Sequence, residues 1–315
     1  MDRDEKYLIR IMFQNKIYSA DAQGFENLFT KIMEYKHPDF RAVKPQGSFG
    51  DMKNDGYILN SGMFYQVYGP EDISKSIDTA INKLEEDFNG LLQKWSNEVE
   101  IKEFNYVVND KYKGVHVTVH KKLLKLKNIV TELGKEHVLV TGLIVAKDLE
   151  NRLFELDEDN MIAIVGLSPR TSAIYDVDYD SLNDVIEHIF NLPAKDYNDD
   201  ELYVPEFDEK IRFNGLSKII SRRLEAAAIN YGDVEVYFDN QGDFLREDIK
   251  NRFKDLYIES KKAIKDDEEN FADRRYMYIL QKSMPKESKQ SVQQAVECLM
   301  AFYFESCDIF EMPEI

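Results

Sequence analysis

The sequence predicts an α/β N-terminal part followed by a mostly α-helical C-terminal part. Three observations predict it. Two β-rich runs, Asp55-Gly56-Tyr57-Ile58-Leu59 and Met63-Phe64-Tyr65-Gln66-Val67-Tyr68, flank Asn60-Ser61-Gly62 and read as a hairpin set between helical stripes. Beyond residue 206 the apolar residues keep helical spacing nearly to the end. The charge divides as well: residues 1–130 carry 19 basic and 19 acidic side chains, whereas residues 131–315 carry 22 and 40, which is the whole of the net charge of −18.

Each element follows in order. Tyr7-Leu8-Ile9 opens a short helix over 7–18. Ser19-Ala20-Asp21 offers a cap for a second helix over 21–36, whose stripe is Phe25, Leu28, Phe29, Ile32 and Met33. His37-Pro38-Asp39 stops it, Phe40–Val43 is a short strand, and Pro45 to Asp51 is loop. After the hairpin, Ile73, Ile77, Ile81, Leu84, Phe88, Leu91 and Leu92 mark a helix to about Trp95, and Phe104–Val108 a strand. Residues 1–130 thus form one α/β domain. Residues 131–205 read as a mixed connecting region, with one helix (Leu182, Val185, Ile186, Ile189) and an acidic linker at 196–201. Residues 206–315 read as a helical assembly or partner-binding domain. Its helices are marked by Ile211-Leu216-Ile219-Ile220-Leu224, by Phe244-Ile249-Phe253-Leu256-Tyr257, by 271–281 and by 292–304.

Composition excludes several classes of function. No apolar run approaches the roughly 18–20 residues of a membrane span. The opening, Met1-Asp2-Arg3-Asp4-Glu5-Lys6, lacks the pattern of a signal peptide, so a cytoplasmic protein without a membrane anchor is expected. The 2 cysteines, Cys298 and Cys307, exclude a disulfide scaffold and a cysteine-built zinc site. His116 and His120 have helical metal spacing but no accompanying Glu or Cys, and no Walker A motif is present, so any ATP use belongs to a partner.

Two segments carry candidate chemistry. From Lys111 to Thr131 there is no acidic residue, and Lys111, Lys113, Lys121, Lys122, Lys125 and Lys127 read either as a solvated helix face or as a surface that tracks nucleic-acid phosphates. The hairpin is the second. A turn centred near Ser61 puts Asp55 opposite Val67, and Gln66 and Tyr68 share one face of their strand. A carboxylate, a carboxamide oxygen and the Val67 carbonyl then converge at the open end. These are hard oxygens suited to Mg²⁺ or Mn²⁺ with water completing the shell. Glu26, on the preceding helix, is a further candidate oxygen donor.

Glu26, Asp55-Gly56 and Gln66, in that order, resemble the PD-(D/E)xK nuclease superfamily and, within it, the Mrr-like restriction endonucleases. The resemblance implies a restriction-endonuclease-like N-terminal domain that cleaves double-stranded DNA with a divalent metal. It implies catalytic roles for Glu26, Asp55 and Gln66, with the ion held by Asp55, Gln66 and Val67. Tyr68 stands where that family places a lysine. Either a lysine from elsewhere fills the role, Lys53 being nearest and Lys44 next, or catalysis is lost and the domain is a DNA-binding or scaffold subunit. A narrower resemblance rests on His37–Tyr57, on Tyr65–Glu71 and on the ending Ala301–Glu311. These segments look like the nuclease-like component of bacterial ABC-three-component and Lamassu-type antiphage systems. That implies an SMC-like ABC ATPase partner, a small third subunit and homo-oligomerisation.

Overall fold

In a computed structural model of the chain the described residues are 1–44, 53–71, 77–95, 99–132, 134–135, 138–170, 177–193, 207–241, 243–285, 289–306 and 309–312. The predicted loop at 45–51, the acidic linker at 196–201 and Cys307 lie outside them. The chain divides into two units, Lys16–Val165 and Met1–Asn15 with Gly166–Ile315. The sequence reading placed a boundary near 130 and a separate mixed region to 205. The division between the units falls at 165, inside that mixed region, and Met1–Asn15 groups with the C-terminal unit.

The Lys16–Val165 unit combines strands and helices. Helix α1 (Arg3–Ser19) leads into it, longer than the predicted 7–18. Then come α2 (Gln23–Lys36), β1 (Phe40–Ala42), β2 (Gly56–Ile58), β3 (Met63–Tyr68), α3 (Ile77–Trp95), β4 (Glu103–Val108), α4 (Val117–Glu132), β5 (Leu139–Ile144), α5 (Ala146–Leu153) and α6 (Glu158–Val165). The five strands form one sheet in the order β1-β2-β3-β4-β5. Strands β1, β2 and β3 pair antiparallel, whereas β3–β4 and β4–β5 pair parallel. Parallel neighbours need a crossover, and α3 and α4 supply the two.

Alternation along β3 and β4 assigns the two faces. Phe64, Phe104, Tyr106 and Val108 join Leu84, Phe88 and Leu91 of α3 and Val119, Leu123, Leu126 and Val130 of α4 in one buried cluster. On the other face Tyr65 meets Phe29 of α2 and Phe40 of β1, with ring centroids 5.5 and 5.9 Å away. The predicted stripe of α2 is buried at all five positions. Its predicted cap is not made: the cap position is Ala22, and the Asp21 carboxylate accepts from Lys111 Nζ at 2.6 Å instead.

The C-terminal unit is helical: α7 (Tyr179–Phe190), α8 (Phe207–Phe213), α9 (Lys218–Ala228), α10 (Tyr231–Gln241), α11 (Asp243–Ala263), α12 (Phe271–Ser283) and α13 (Gln290–Glu305). The single helix expected over 211–224 is two, because Gly215 takes a left-handed φ of 68° and Ser217 caps α9 through Ile220 N. Helix α13 is buried all round from Ala295 to Phe304, as a central helix must be. Its Glu297 pairs with Arg223 at 2.5 Å, and Gln293 donates to the same carboxylate oxygen at 2.9 Å. Buried charge persists only when partnered in this way. Burial also pushes the Cys298 thiol up to about 12, so this cysteine is a small core residue and not a nucleophile.

The β2–β3 connection depends on Gly62. Its φ is +67°, and a Cβ there would stand 2.5 Å from the Glu100 carbonyl oxygen. Gly62→Ala therefore meets both backbone strain and a fixed backbone atom. Urea denaturation of the full chain is expected to show a loss of about 1–3 kcal/mol.

Candidate active site

The hairpin brings Asp55 and Gln66 together. Four residues, Leu59–Gly62, separate the paired Ile58 and Met63, the first three as a 3-10 turn. The register Gly56↔Tyr65, continued by one step, sets Asp55 opposite Gln66 and not opposite Val67 as the sequence reading had it. The turn centre lies half a residue earlier than a pivot on Ser61. Asp55 N donates to Tyr65 O at 2.9 Å. The Asp55 Oδ2 atom accepts from Val67 N at 2.6 Å and from Gln66 Nε2 at 2.8 Å. Both side chains are buried, at 8% and 1% exposure. Replacing Asp55 by Ala would thus leave two donors without their acceptor, so the fold leans on this carboxylate more than a residue at a hairpin mouth suggests.

The same contacts orient what remains. With its Nε2 on Asp55, the Gln66 amide holds Oε1 beside that carboxylate, and Oε1 is buried with no hydrogen-bond partner among the described residues. Residues i and i+2 of a strand turn their backbone groups to one side. Tyr65 O and Val67 N both serve Asp55, so the Val67 carbonyl is directed to the Asp55 side too. Carboxylate, amide and peptide oxygens are the donors that Mg²⁺ or Mn²⁺ takes, with water. Among the described residues no group of three or more His, Cys, Asp or Glu is gathered for a metal ion. An ion here would therefore rest on Asp55, Gln66 Oε1 and the Val67 carbonyl.

Tyr68 continues the face of Phe64 and Gln66. Its ring stacks on Tyr106 at 6.4 Å and 13°, and the Lys83 ammonium lies 6.0 Å from its centroid. Burial holds the Tyr106 hydroxyl well above the usual phenol range, with further contributions from Tyr68, Asp87 and Asp55. That hydroxyl donates to Ala80 O at 3.3 Å.

Lys53 has a left-handed φ of 66° and gives its ammonium to Glu86 at 2.6 Å and Asp87 at 3.1 Å. The hydrogen bond to Glu86, and then that to Asp87, raises its pKa against the opposing cost of burial. Lys53 is thus committed to α3. Lys44 is exposed at the edge of the described residues. Glu26 is half-buried in the first turn of α2, which packs on the opposite face of the sheet through Phe25 and Phe29. Among the described residues no hydrogen bond or ion pair joins it to Asp55 or Gln66.

The basic segment is reduced by pairing. Lys111 is held by Asp21 and Lys122 by Glu85. Lys113, Lys121, Lys125 and Lys127 stay exposed, the last three on α4 with exposed Leu124 among them.

The sequence reading missed the polar side of α3. Ala80, Lys83, Asp87 and Gly90 stand at spacings of 3, 4 and 3, a second stripe beside the apolar one. Gly90 is needed there, since a Cβ would meet Lys53 Cγ at 2.6 Å. The stripe was legible in its spacing but invisible to a count of apolar residues alone.

Residues 180–311 match the family model for C-terminal domain 10 of the ABC-three component (ABC-3C) systems. The matched part holds α8 to α13 and all of α7 but Tyr179. The match supports membership of the chain in an ABC-three-component system. No curated protein and no solved structure matches the chain. Among the described residues no helix is long and apolar enough to cross a membrane.

Gln66→Glu exchanges the Nε2 donor for an oxygen at hydrogen-bond distance from Asp55. Two buried carboxylates then face each other, and the folded-state pKa of the new acid rises. Its protonated form matches the native contact, so the deficit against the parent should be small near pH 4. It should grow as pH rises past the unfolded glutamate value of about 4.3. Thermal melts in EDTA across this range check it, and Mg²⁺ or Mn²⁺ should restore more melting temperature to the variant than to the parent.

Proposed function

We propose that the chain is the metal-dependent DNA endonuclease component of an ABC-three-component antiphage or antiplasmid system, working in the cytoplasm as a homo-oligomer. An SMC-like ABC ATPase and a small third subunit control it. The observation that carries the reading is the buried Asp55–Gln66 pair, with Gln66 Oε1 unsatisfied beside the carboxylate. The match of residues 180–311 to an ABC-three-component C-terminal domain supports the setting. So does the chain order of the Asp55-Gly56 step and the strand bearing Gln66.

Asp55, Gln66 Oε1 and the Val67 carbonyl would hold Mg²⁺ or Mn²⁺. When bound, the ion supplies Lewis-acid polarisation of a phosphate and a lowered pKa for a water. The protein's own part is positioning. Val67 N and Gln66 Nε2 fix the Asp55 carboxylate before substrate arrives, so no reorganisation is required at that residue. The face of Tyr68 and Tyr106 excludes water from the inner side. Exposed Lys113, Lys121 and Lys125 take the DNA backbone, whereas Lys111 and Lys122 serve as internal counter-ions.

One observation favours a second reading. Tyr68, which carries no charge, occupies the strand position of the expected lysine, as it would in a degenerate subunit that binds or scaffolds DNA. Plasmid DNA incubated with the full chain and Mg²⁺ or Mn²⁺, with and without its ATPase partner and with EDTA as control, separates the two. Asp55→Asn is the variant of choice because its amide oxygen can take the place of Oδ2, which accepts from both donors. It should abolish cleavage and defence while the fold survives. A parent that never cleaves, together with an Asp55→Asn strain that still defends cells, would leave the scaffold reading standing.

Lys121→Ala with Lys125→Ala should weaken DNA binding without changing sequence preference. The slope of log K against log[salt] should flatten by about 0.9 for each phosphate that is no longer neutralised. Lys122→Ala should leave that slope alone, because its charge is spent on Glu85.

A further inference from the structure

Resting on the reading above, we propose that one stripe of α3 supplies the two groups the β3 strand lacks. Asp87 is the second carboxylate of the divalent-cation site, and Lys83, exposed on the same stripe, is its positive charge. The β3 strand offers neutral Gln66 and neutral Tyr68. A single carboxylate leaves half of an ion's double charge uncompensated in a buried site.

The packing of α3 fixes where the stripe lies. The crossover from β3 to β4 makes α3 run against the direction of both strands. Its last residue, Trp95, lies on Tyr57 and Phe64 with ring centroids 5.5 and 5.2 Å away, at the turn end of the hairpin. Phe88 meets Phe104 at 5.0 Å. Lys83 stands over Tyr68, at the far end of β3. Asp87 is one helical turn from Lys83 toward Trp95. That sets it between Phe64 and Tyr68 along β3, at the level of Gln66. It is tied to the residue two before Asp55, because Lys53 Nζ reaches it at 3.1 Å.

Burial separates Asp87 from its neighbours in the acidic run. The side chains of Glu85 and Glu86 are 41% and 72% exposed, whereas that of Asp87 is 4% exposed. An exposed helix carboxylate costs little, but a buried one needs a cation. The Lys53 ammonium is that cation, on a backbone of left-handed φ and packed over Gly90, where a Cβ would stand 2.6 Å from Lys53 Cγ. The unsatisfied Gln66 Oε1 is the independent sign that this interior takes a further positive ligand. Lys83 has a different place. Its ammonium lies over an uncharged ring at the strand position of the expected lysine, so its charge is delivered from the helix to the same locality.

The test uses the full chain and Mn²⁺, with free Mn²⁺ read by electron paramagnetic resonance and the fold read by circular dichroism. Asp55→Asn and Asp87→Asn should each weaken Mn²⁺ binding at least about tenfold, the low end of the loss that even an indirect partner causes. The neutral pair Lys53→Met with Asp87→Asn removes both ends of the ion pair. It guards against misfolding from a stranded ammonium and should show the same loss. Lys83→Met should keep or tighten Mn²⁺ binding while lowering plasmid cleavage about a hundredfold, and Lys83→Arg should recover part of that loss. If folded Asp87→Asn and the double variant bind Mn²⁺ like the parent while Asp55→Asn does not, the role of α3 in the ion site is overturned and the nuclease reading survives. Lys83→Met that cleaves like the parent overturns the role of the lysine alone. A parent that binds no Mn²⁺ and cuts no DNA overturns both the inference and the reading beneath it.

Discussion

The Asp55 carboxylate is the constraint on which the rest of the N-terminal unit turns. It caps the open end of the hairpin by accepting from the Val67 peptide and the Gln66 amide, where the β2–β3 ladder would otherwise end on bare donors. That one acceptor sets the register of the hairpin, the orientation of the Gln66 amide and the direction of the Val67 carbonyl. A slip by one residue would turn the side chains of β3 over, sending Gln66 to the face where Tyr65 packs on Phe29 and Phe40. Stability and the proposed chemistry therefore draw on the same contacts.

How much of this was legible in sequence depends on what each element displays. The hairpin was, because β-rich runs flanked a turn triplet. The stripe of α2 was, because five apolar residues kept helical spacing and all five are buried. Strand β5 was not. A central or parallel strand reads as an unbroken apolar run, and Leu139–Ile144 is interrupted by Thr141 and Gly142. The apolar residues from Ile211 to Leu224 read as one helix, but Gly215 ends the first of two and Ser217 caps the next. Phe244 is the plainest error of period. Ile249, Phe253, Leu256 and Tyr257 share a face, but Phe244 lies five positions before Ile249, well around the helix, and is 89% exposed.

The candidate site was half legible for a related reason. Asp55, Gln66 and Val67 are close in sequence, so hairpin geometry alone could bring them together. Contributions from α3 depend on the depth and rotation of a crossover helix, which no local pattern states. Glu26 illustrates the converse. Chain order made it a candidate, yet α2 lies against the other face of the sheet, and sequence order carries no information about faces.

Charge counting has the same weakness, and it bears on how DNA could approach. Residues 1–130 are neutral in sum, and the basic segment after β4 looked like the reserve of positive charge. Two of its lysines are spent internally, on Asp21 and Glu85, and Lys53 is spent on Glu86 and Asp87. The acidic turn of α3 is thus clamped by lysines from both flanks, one from the edge of β2 and one from α4. Such pairs add little stability where they are exposed. Their effect is on the field: they cancel a patch of three consecutive carboxylates that would otherwise repel phosphate from the mouth of the hairpin. What remains uncancelled in that segment is Lys113 and the exposed run of Lys121, Lys125 and Lys127 on α4. A polyanion reaching the Asp55 end of the sheet would meet a neutralised α3 and a positive α4, and that arrangement follows from pairing, not from composition.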